Sequence, residues 1–155
     1  MERIEGIRSY VTILKRINML LENYANKALE STGLTLSQGA IMSQIVNAEM
    51  DFVFYKDIEK MMKLSQPVTV GLISRLQDKK YVFTGYDEYD RRTKIVFSTK
   101  AGKKAWEESQ KVLSRIEEEL LDGFSEDDIK QFGHYLIKIK DNLEKMEAKN
   151  EKYTL

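Results

Sequence analysis

A mainly α-helical chain with one small β-hairpin is predicted by three features of this sequence. Apolar residues recur at 3-4 spacing through the first 28 residues and again from Ile129 to Met146. Serine or threonine stands at the cap position ahead of several of the apolar runs. In the middle, Val82 to Tyr86 and the run that follows Thr93 are β-patterned segments flanking a charged turn.

The chain has 155 residues and 42% apolar content, enough for one packed domain over residues 1–155. It contains no cysteine, which excludes disulfides, thiolate metal sites and thiol redox switches. A single histidine, His134, argues against a transition-metal sensor and is expected at the surface or in a helix seam. No bound metal or cofactor is expected. Neither a signal peptide nor a membrane span is expected, so the protein should be cytoplasmic. No pairing of a nucleophile with His134 suggests an enzyme, and no catalytic residue is expected.

The elements follow in order. Residues 4–28 read as one long helix with two adjacent apolar rows, one including Ile4, Ile7 and Val11, the other Tyr10 and Ile17. Two rows imply two surfaces to bury, one of them against a partner chain. Gly33 breaks this helix, and Thr35-Leu36-Ser37-Gln38 reads as a capping box opening a second helix to about Ala48. Asp51 to Tyr55 reads as an extended link, and Lys56 to Met62 as a short third helix. Ser65 is expected to cap a fourth helix, with Pro67 in its first turn, where a missing N–H costs little. After the hairpin, Thr99 is expected to cap a fifth helix running to about Leu121. Ser125-Glu126-Asp127-Asp128 opens a sixth, where Ile129, Phe132, Leu136, Ile139 and Leu143 form a narrow seam of the kind two chains share.

The net charge is zero, but its distribution is uneven. Residues 1–55 carry 5 basic and 6 acidic side chains, net −1; residues 56–104 carry 12 and 6, net +6; residues 105–155 carry 8 and 13, net −5. A basic middle between acidic flanks suits a protein that meets phosphate with one face. Helix, hairpin with an arginine tip, then helix is the arrangement of a winged helix-turn-helix.

Residues 34–102 resemble the MarR (multiple antibiotic resistance) family of bacterial transcription regulators. The wing pattern carries most of the likeness: Asp90, one residue, Arg92, a β-run, then Thr99 and Gly102. Leu64-Ser65-Gln66-Pro67-Val68-Thr69-Val70, followed by Leu72-Ile73-Ser74-Arg75-Leu76, looks like the recognition helix of that family. The resemblance implies a homodimer joined through residues 1–30 and 103–148. It also implies a pseudo-palindromic double-stranded DNA operator, a fourth helix in the major groove, a wing in the minor groove, and repression that a small molecule can relieve. The chain departs from the family at Lys63 and Lys80, where glycine is usual, and at Gly71, where a polar side chain is commoner. The two lysine side chains can cap carbonyls or reach phosphate.

On the fourth helix, Gln66, Pro67, Val70, Gly71 and Ser74 lie opposite the stripe expected to be buried. Gln66 is able to make a bidentate contact to adenine; Pro67 and Val70 suit thymine methyls; Gly71 permits close backbone approach. Arg75 suits either phosphate or an ion pair with Asp90. Arg91 and Arg92 suit a narrow minor groove, with Asp90 orienting an arginine and Lys94 meeting phosphate. Ser37 and Gln38 suit a phosphate at a helix N-terminus, although Gln38 can equally serve only its cap. Tyr10, Ile17, Tyr55 and Trp106 are candidate lining for an aromatic effector pocket, or else core and interface packing. The alternative to a DNA-binding regulator is a dimeric winged-helix interaction module that does not read DNA.

Overall fold

The computed structural model describes residues 9–151. The order of elements is α1 (Tyr10–Ala28), a 3-10 turn (Glu30–Thr32), α2 (Leu36–Val46), β1 (Val53–Phe54), α3 (Tyr55–Met62), α4 (Gln66–Asp78), β2 (Val82–Tyr86), β3 (Lys94–Ser98), α5 (Lys100–Leu120) and α6 (Glu126–Glu151). The fold is mainly helical with a small antiparallel sheet, and it divides into two compact units between Ile116 and Glu117. Among the described residues, no helix is long and apolar enough to cross a membrane.

Local signals set most boundaries. The Thr35 hydroxyl accepts from the Gln38 N–H and the Gln38 side chain accepts from the Thr35 N–H, a complete capping box at the start of α2. The Thr99 hydroxyl accepts from the Gly102 N–H at 3.0 Å and caps α5. Ser125 does the same for Asp128 at the start of α6, and its hydrogen bonds hold the Asp128 carboxyl below the usual carboxylate range. Ser65 differs from expectation. It occupies the N-cap position of α4, but its side chain makes no capping bond; its carbonyl instead takes the Thr69 N–H and hydroxyl, at 3.0 and 3.2 Å.

The segment read as an extended link contains a strand. β1 pairs antiparallel with β3, Val53 opposite Val96 and Phe54 opposite Ile95, so the expected hairpin is the larger part of a three-stranded sheet ordered β1-β3-β2. Val53, Val82 and Val96 are buried in one cluster with Ile41, Met42 and Ile45 of α2, Ile58 of α3, and Ile73 and Leu76 of α4. On the sheet's other face, Phe83 stacks on Phe97 with centroids 4.6 Å apart, and Phe52 lies 5.8 Å from Phe97 and 5.3 Å from Phe54. This aromatic ladder ties three short strands together where backbone pairing alone is weak.

The long helices are a different case. Ala25 is the only buried residue of α1, and Val11 is 78% exposed. In α6, Ile129, Phe132, Leu136, Ile139 and Leu143 are all exposed in the single chain. Ile4 and Ile7 lie outside the described residues.

Candidate nucleic-acid interface

The α3–α4 turn rests on a left-handed residue. The Lys63 N–H reaches the Lys60 carbonyl and the Leu64 N–H the Glu59 carbonyl, a Schellman ending for α3 with Lys63 at φ 50°. The same pattern ends α4: the Lys80 N–H reaches Gln77, the Tyr81 N–H reaches Leu76, and Lys80 sits at φ 60°. Both lysines therefore occupy backbone that ordinarily calls for glycine.

α4 buries Thr69, Ile73 and Leu76, with Leu72 half-buried. The opposite face is open: Gln66, Pro67, Val70, Ser74 and Arg75 are exposed, and Val68 joins them at 47%. Gly71 is half-buried, and a Cβ built there meets nothing within 4 Å, so a side chain has room at this position. From Gln66 to Arg75 this face carries no charge but that of Arg75, and exposed Asp78 follows at the helix end.

The wing is ordered by its acids. Asp90 accepts from the Arg92 N–H at 3.1 Å, the Thr93 hydroxyl at 2.9 Å and the Arg92 Nε at 3.4 Å. The Arg92 N–H and the Thr93 hydroxyl hold the Asp90 carboxyl below its ordinary range. Asp90's cationic partner is thus Arg92, not Arg75. Asp87 accepts from the Asp90 N–H and donates its own N–H to the Thr93 carbonyl, which closes the turn. The Asp87 and Asp90 carboxylates are therefore both engaged by the turn itself. Arg92's side chain stays 95% exposed. Arg91 is exposed and lines an open groove of ≈ 660 Å³ with Tyr86, Asp87 and Glu88. Lys94 leans over the Tyr55 ring, 5.9 Å from its centroid.

The remaining sites divide. Ser37 is exposed at the start of α2. Gln38 does not suit phosphate: it is 3% exposed, and its side-chain oxygen is engaged by the Thr35 N–H and by the Lys79 ammonium at 2.8 Å. This corrects its assignment as a DNA contact; it is an internal strut. Tyr10 and Ile17 are exposed on α1, Tyr55 lies beside Lys94, and Trp106 packs on the core with its indole N–H buried and unpartnered. Burial raises the Tyr55 phenol above its ordinary value, against a lowering hydrogen bond from Thr84, so it stays protonated at neutral pH.

Sequence reasoning missed two residues here. Tyr89 is 97% exposed at the wing tip, one residue before Asp90; its place in a charged turn was the available signal. Lys79 had no local signal, because its partners lie more than 40 residues away.

No family model matches the chain. It is 30% identical over 130 residues to the transcriptional activatory protein BadR of Rhodopseudomonas palustris, covering 83% of this chain and 74% of that one. It is also 30% identical over 131 residues to the uncharacterized HTH-type transcriptional regulator YwoH of Bacillus subtilis, covering 81% and 93%. Among solved structures, the fold is similar to S. aureus MepR in complex with DNA, with a TM-score of 0.81, 24% identity, and 88% and 99% of the two chains covered. It is likewise similar to a mutant MarR from E. coli complexed with operator DNA, with a TM-score of 0.77, 17% identity, and 90% and 99% covered. With BadR matched over most of both chains, and a winged fold shared with MarR and MepR, this chain belongs to the MarR family of transcription regulators, which are not enzymes.

Proposed function

We propose that the protein is a homodimer that binds a pseudo-palindromic site in double-stranded DNA and regulates transcription from it. The observation that carries this is the wing: an Asp90-braced turn presents Arg91 and Arg92 to solvent beside an α4 whose uncommitted face holds Gln66, Pro67, Val70, Gly71, Ser74 and Arg75. Extended arginines suit a narrow minor groove, and an exposed helix face suits the major groove. Ser37 is the reading's phosphate contact at the start of α2, with Lys94 on the wing strand as another. That MepR and MarR were each solved with DNA supports the reading, and favours it over a winged module that does not read DNA. Such a protein works where the chromosome is, in the cytoplasm.

Exposed apolar surface supports the dimer. Val11 on α1 and Ile129, Phe132, Leu136, Ile139 and Leu143 on α6 are open in the single chain, and rows of this kind call for a partner. Residues 34–102 form the reading core in this proposal, and residues 1–30 and 103–148 the dimerisation arms. A site overlapping a promoter makes the regulator a repressor, which is the sign proposed here; BadR, an activatory protein, is a relative of the other sign.

A small aromatic effector is the finer part of the proposal. The buried indole N–H of Trp106 lacks an acceptor that a ligand can supply; Tyr10, Ile17 and Tyr55 are the other residues proposed for its pocket. Titrating Trp106 fluorescence with a chemically broad panel of phenolic acids tests it; the absence of any saturable response removes the effector.

Selection from a random duplex pool tests the main reading, with sedimentation of the bound species. The expected product is a two-fold sequence with half-sites about one helical turn apart, bound by two chains. An unenriched pool, or binding by single chains, overturns it.

A further inference from the structure

The C-terminal end of α4 is fastened to the start of α2 by one side chain. Lys79 is the C-cap of α4, and its ammonium donates to the Gly33 carbonyl at 2.8 Å and to the Gln38 side-chain oxygen at 2.8 Å. Gln38 is nearly fully buried, and its oxygen also takes the Thr35 N–H that the capping box requires. Two residues on, the Tyr81 hydroxyl donates to the Thr32 carbonyl at 3.0 Å. α1 reaches the same place: the Asn26 side-chain oxygen accepts from the Leu36 N–H at 2.7 Å. The start of α2 is thus a junction at which α1, α2 and the far end of α4 are hydrogen-bonded together.

We infer that Lys79 is a positioning residue for sequence reading: it sets the angle of α4 against α2 and so the register of the Gln66–Ser74 face on the bases. The inference rests on the DNA-binding reading proposed above and assigns Lys79 no contact with DNA. Phosphate at the start of α2 places the protein on the backbone, while side chains on α4 select sequence. A charged donor shared between a backbone carbonyl and a side-chain amide is a stiff link between these two functions. Without it, α4 stays folded, because Ile73 and Leu76 anchor it in the core, but its tilt at that end is left to the single Tyr81–Thr32 hydrogen bond. Bidentate base contacts tolerate little misplacement, whereas phosphate attraction tolerates much.

The competing assignment is that Lys79, a lysine in the basic third of the chain, simply touches phosphate. The two differ in what salt and sequence do to binding. Lys79→Met, Lys79→Arg, Gln38→Met and the Lys79→Met/Gln38→Met double variant are compared with the native protein on the selected duplex and on a scrambled duplex of equal length, across a salt series. Urea unfolding confirms that each is folded. A positioning role gives Lys79→Met about a tenfold or greater loss of preference for the selected duplex, the size of one or two lost base contacts. Affinity for the scrambled duplex and the slope of log affinity against log salt stay near native. Lys79→Arg restores the preference. Gln38→Met reproduces the loss, and the double variant is no worse than either single one, since both break the same link. Equal loss on both duplexes, with the salt slope falling by about 0.9 per subunit, overturns the inference in favour of phosphate contact. Unchanged binding by Lys79→Met also overturns it. If the native protein prefers no duplex, the DNA reading itself has failed. The link is then judged on urea midpoints: non-additive shifts for the Lys79 and Gln38 changes support it, and additive shifts dismiss it.

Discussion

Asp90 and Arg92 face each other across one residue of the wing turn, the carboxylate taking both the backbone N–H and the guanidinium Nε of the arginine. The pair is exposed, so its Coulomb energy is small in water. Its value is geometric: it fixes the turn from which Arg91 and Arg92 project.

A consequence runs against simple charge counting. Asp90→Asn removes a negative charge from a loop proposed to meet phosphate, which by charge alone strengthens DNA binding. The turn predicts weaker binding, by several-fold, because the acceptor of three hydrogen bonds is impaired. Anisotropy titration of Asp90→Asn against native protein on one duplex decides between the two.

The same carboxylate sets a pH limit. The Arg92 N–H and the Thr93 hydroxyl lower its folded-state pKa, so the stability it lends the turn is present above the unfolded value. That contribution is lost as pH falls through the lowered folded value. The Arg92 amide resonance should hold its position from neutral pH down through the ordinary carboxylate range and move only below it. Movement near pH 5 contradicts this.

Gly102 lies against Tyr81 so closely that a Cβ there overlaps the Tyr81 carbonyl oxygen. That oxygen also receives the Thr99 N–H at 3.0 Å, and the Thr99 hydroxyl points at it and at the Lys80 carbonyl. The obstacle is backbone, which cannot swing aside. Gly102→Ala should cost about 1–3 kcal/mol or more in urea unfolding, with native-like helix content at zero denaturant. A loss under 0.5 kcal/mol shows that the start of α5 moves freely.

Lys63 and Lys80 hold left-handed backbone at the ends of α3 and α4. Relieving this should stabilise the protein: Lys63→Gly and Lys80→Gly are each expected to gain up to about 1 kcal/mol, net of the added freedom of the unfolded chain. Lys60→Gly, within α3, should lose about 1 kcal/mol. Destabilisation by both of the first two changes contradicts the strain argument.

Gly71 separates helix stability from DNA contact. Nothing lies within 4 Å of a Cβ built there, so Gly71→Ala should stabilise α4 by about 0.5–1 kcal/mol. If the backbone approaches the bases at this point, the same change weakens binding to the selected duplex. Tighter binding instead shows that α4 stands off from the groove.

What the sequence made legible has a common physical character. The capping box at Thr35 and Gln38, the Thr99 cap with Gly102, and the Asp90 turn all join residues two or three apart, so spacing alone reveals them. The left-handed positions of Lys63 and Lys80 were visible because glycine is usual at those places in the family. β1 was not visible. A two-residue strand has no periodicity, and Val53 finds its partner at Val96, more than 40 residues away. Gln38 was left between phosphate contact and cap for the same reason: its cap was evident, but the Lys79 ammonium beside its buried side chain comes from 41 positions on. The exposure of α6 was implied by its seam, a row proposed to be shared with a second chain and open in one.

The central claim is that wing arginines and an exposed α4 face grip duplex DNA through phosphate and base contacts together. Its most direct test is affinity for the selected duplex across a salt series, with native protein and with Arg91→Ala/Arg92→Ala. Log affinity should fall linearly with log salt, at about 0.9 per phosphate neutralised, and the double variant should bind all duplexes more weakly with a shallower slope. Affinity indifferent to salt, or a double variant indistinguishable from native protein, would contradict it.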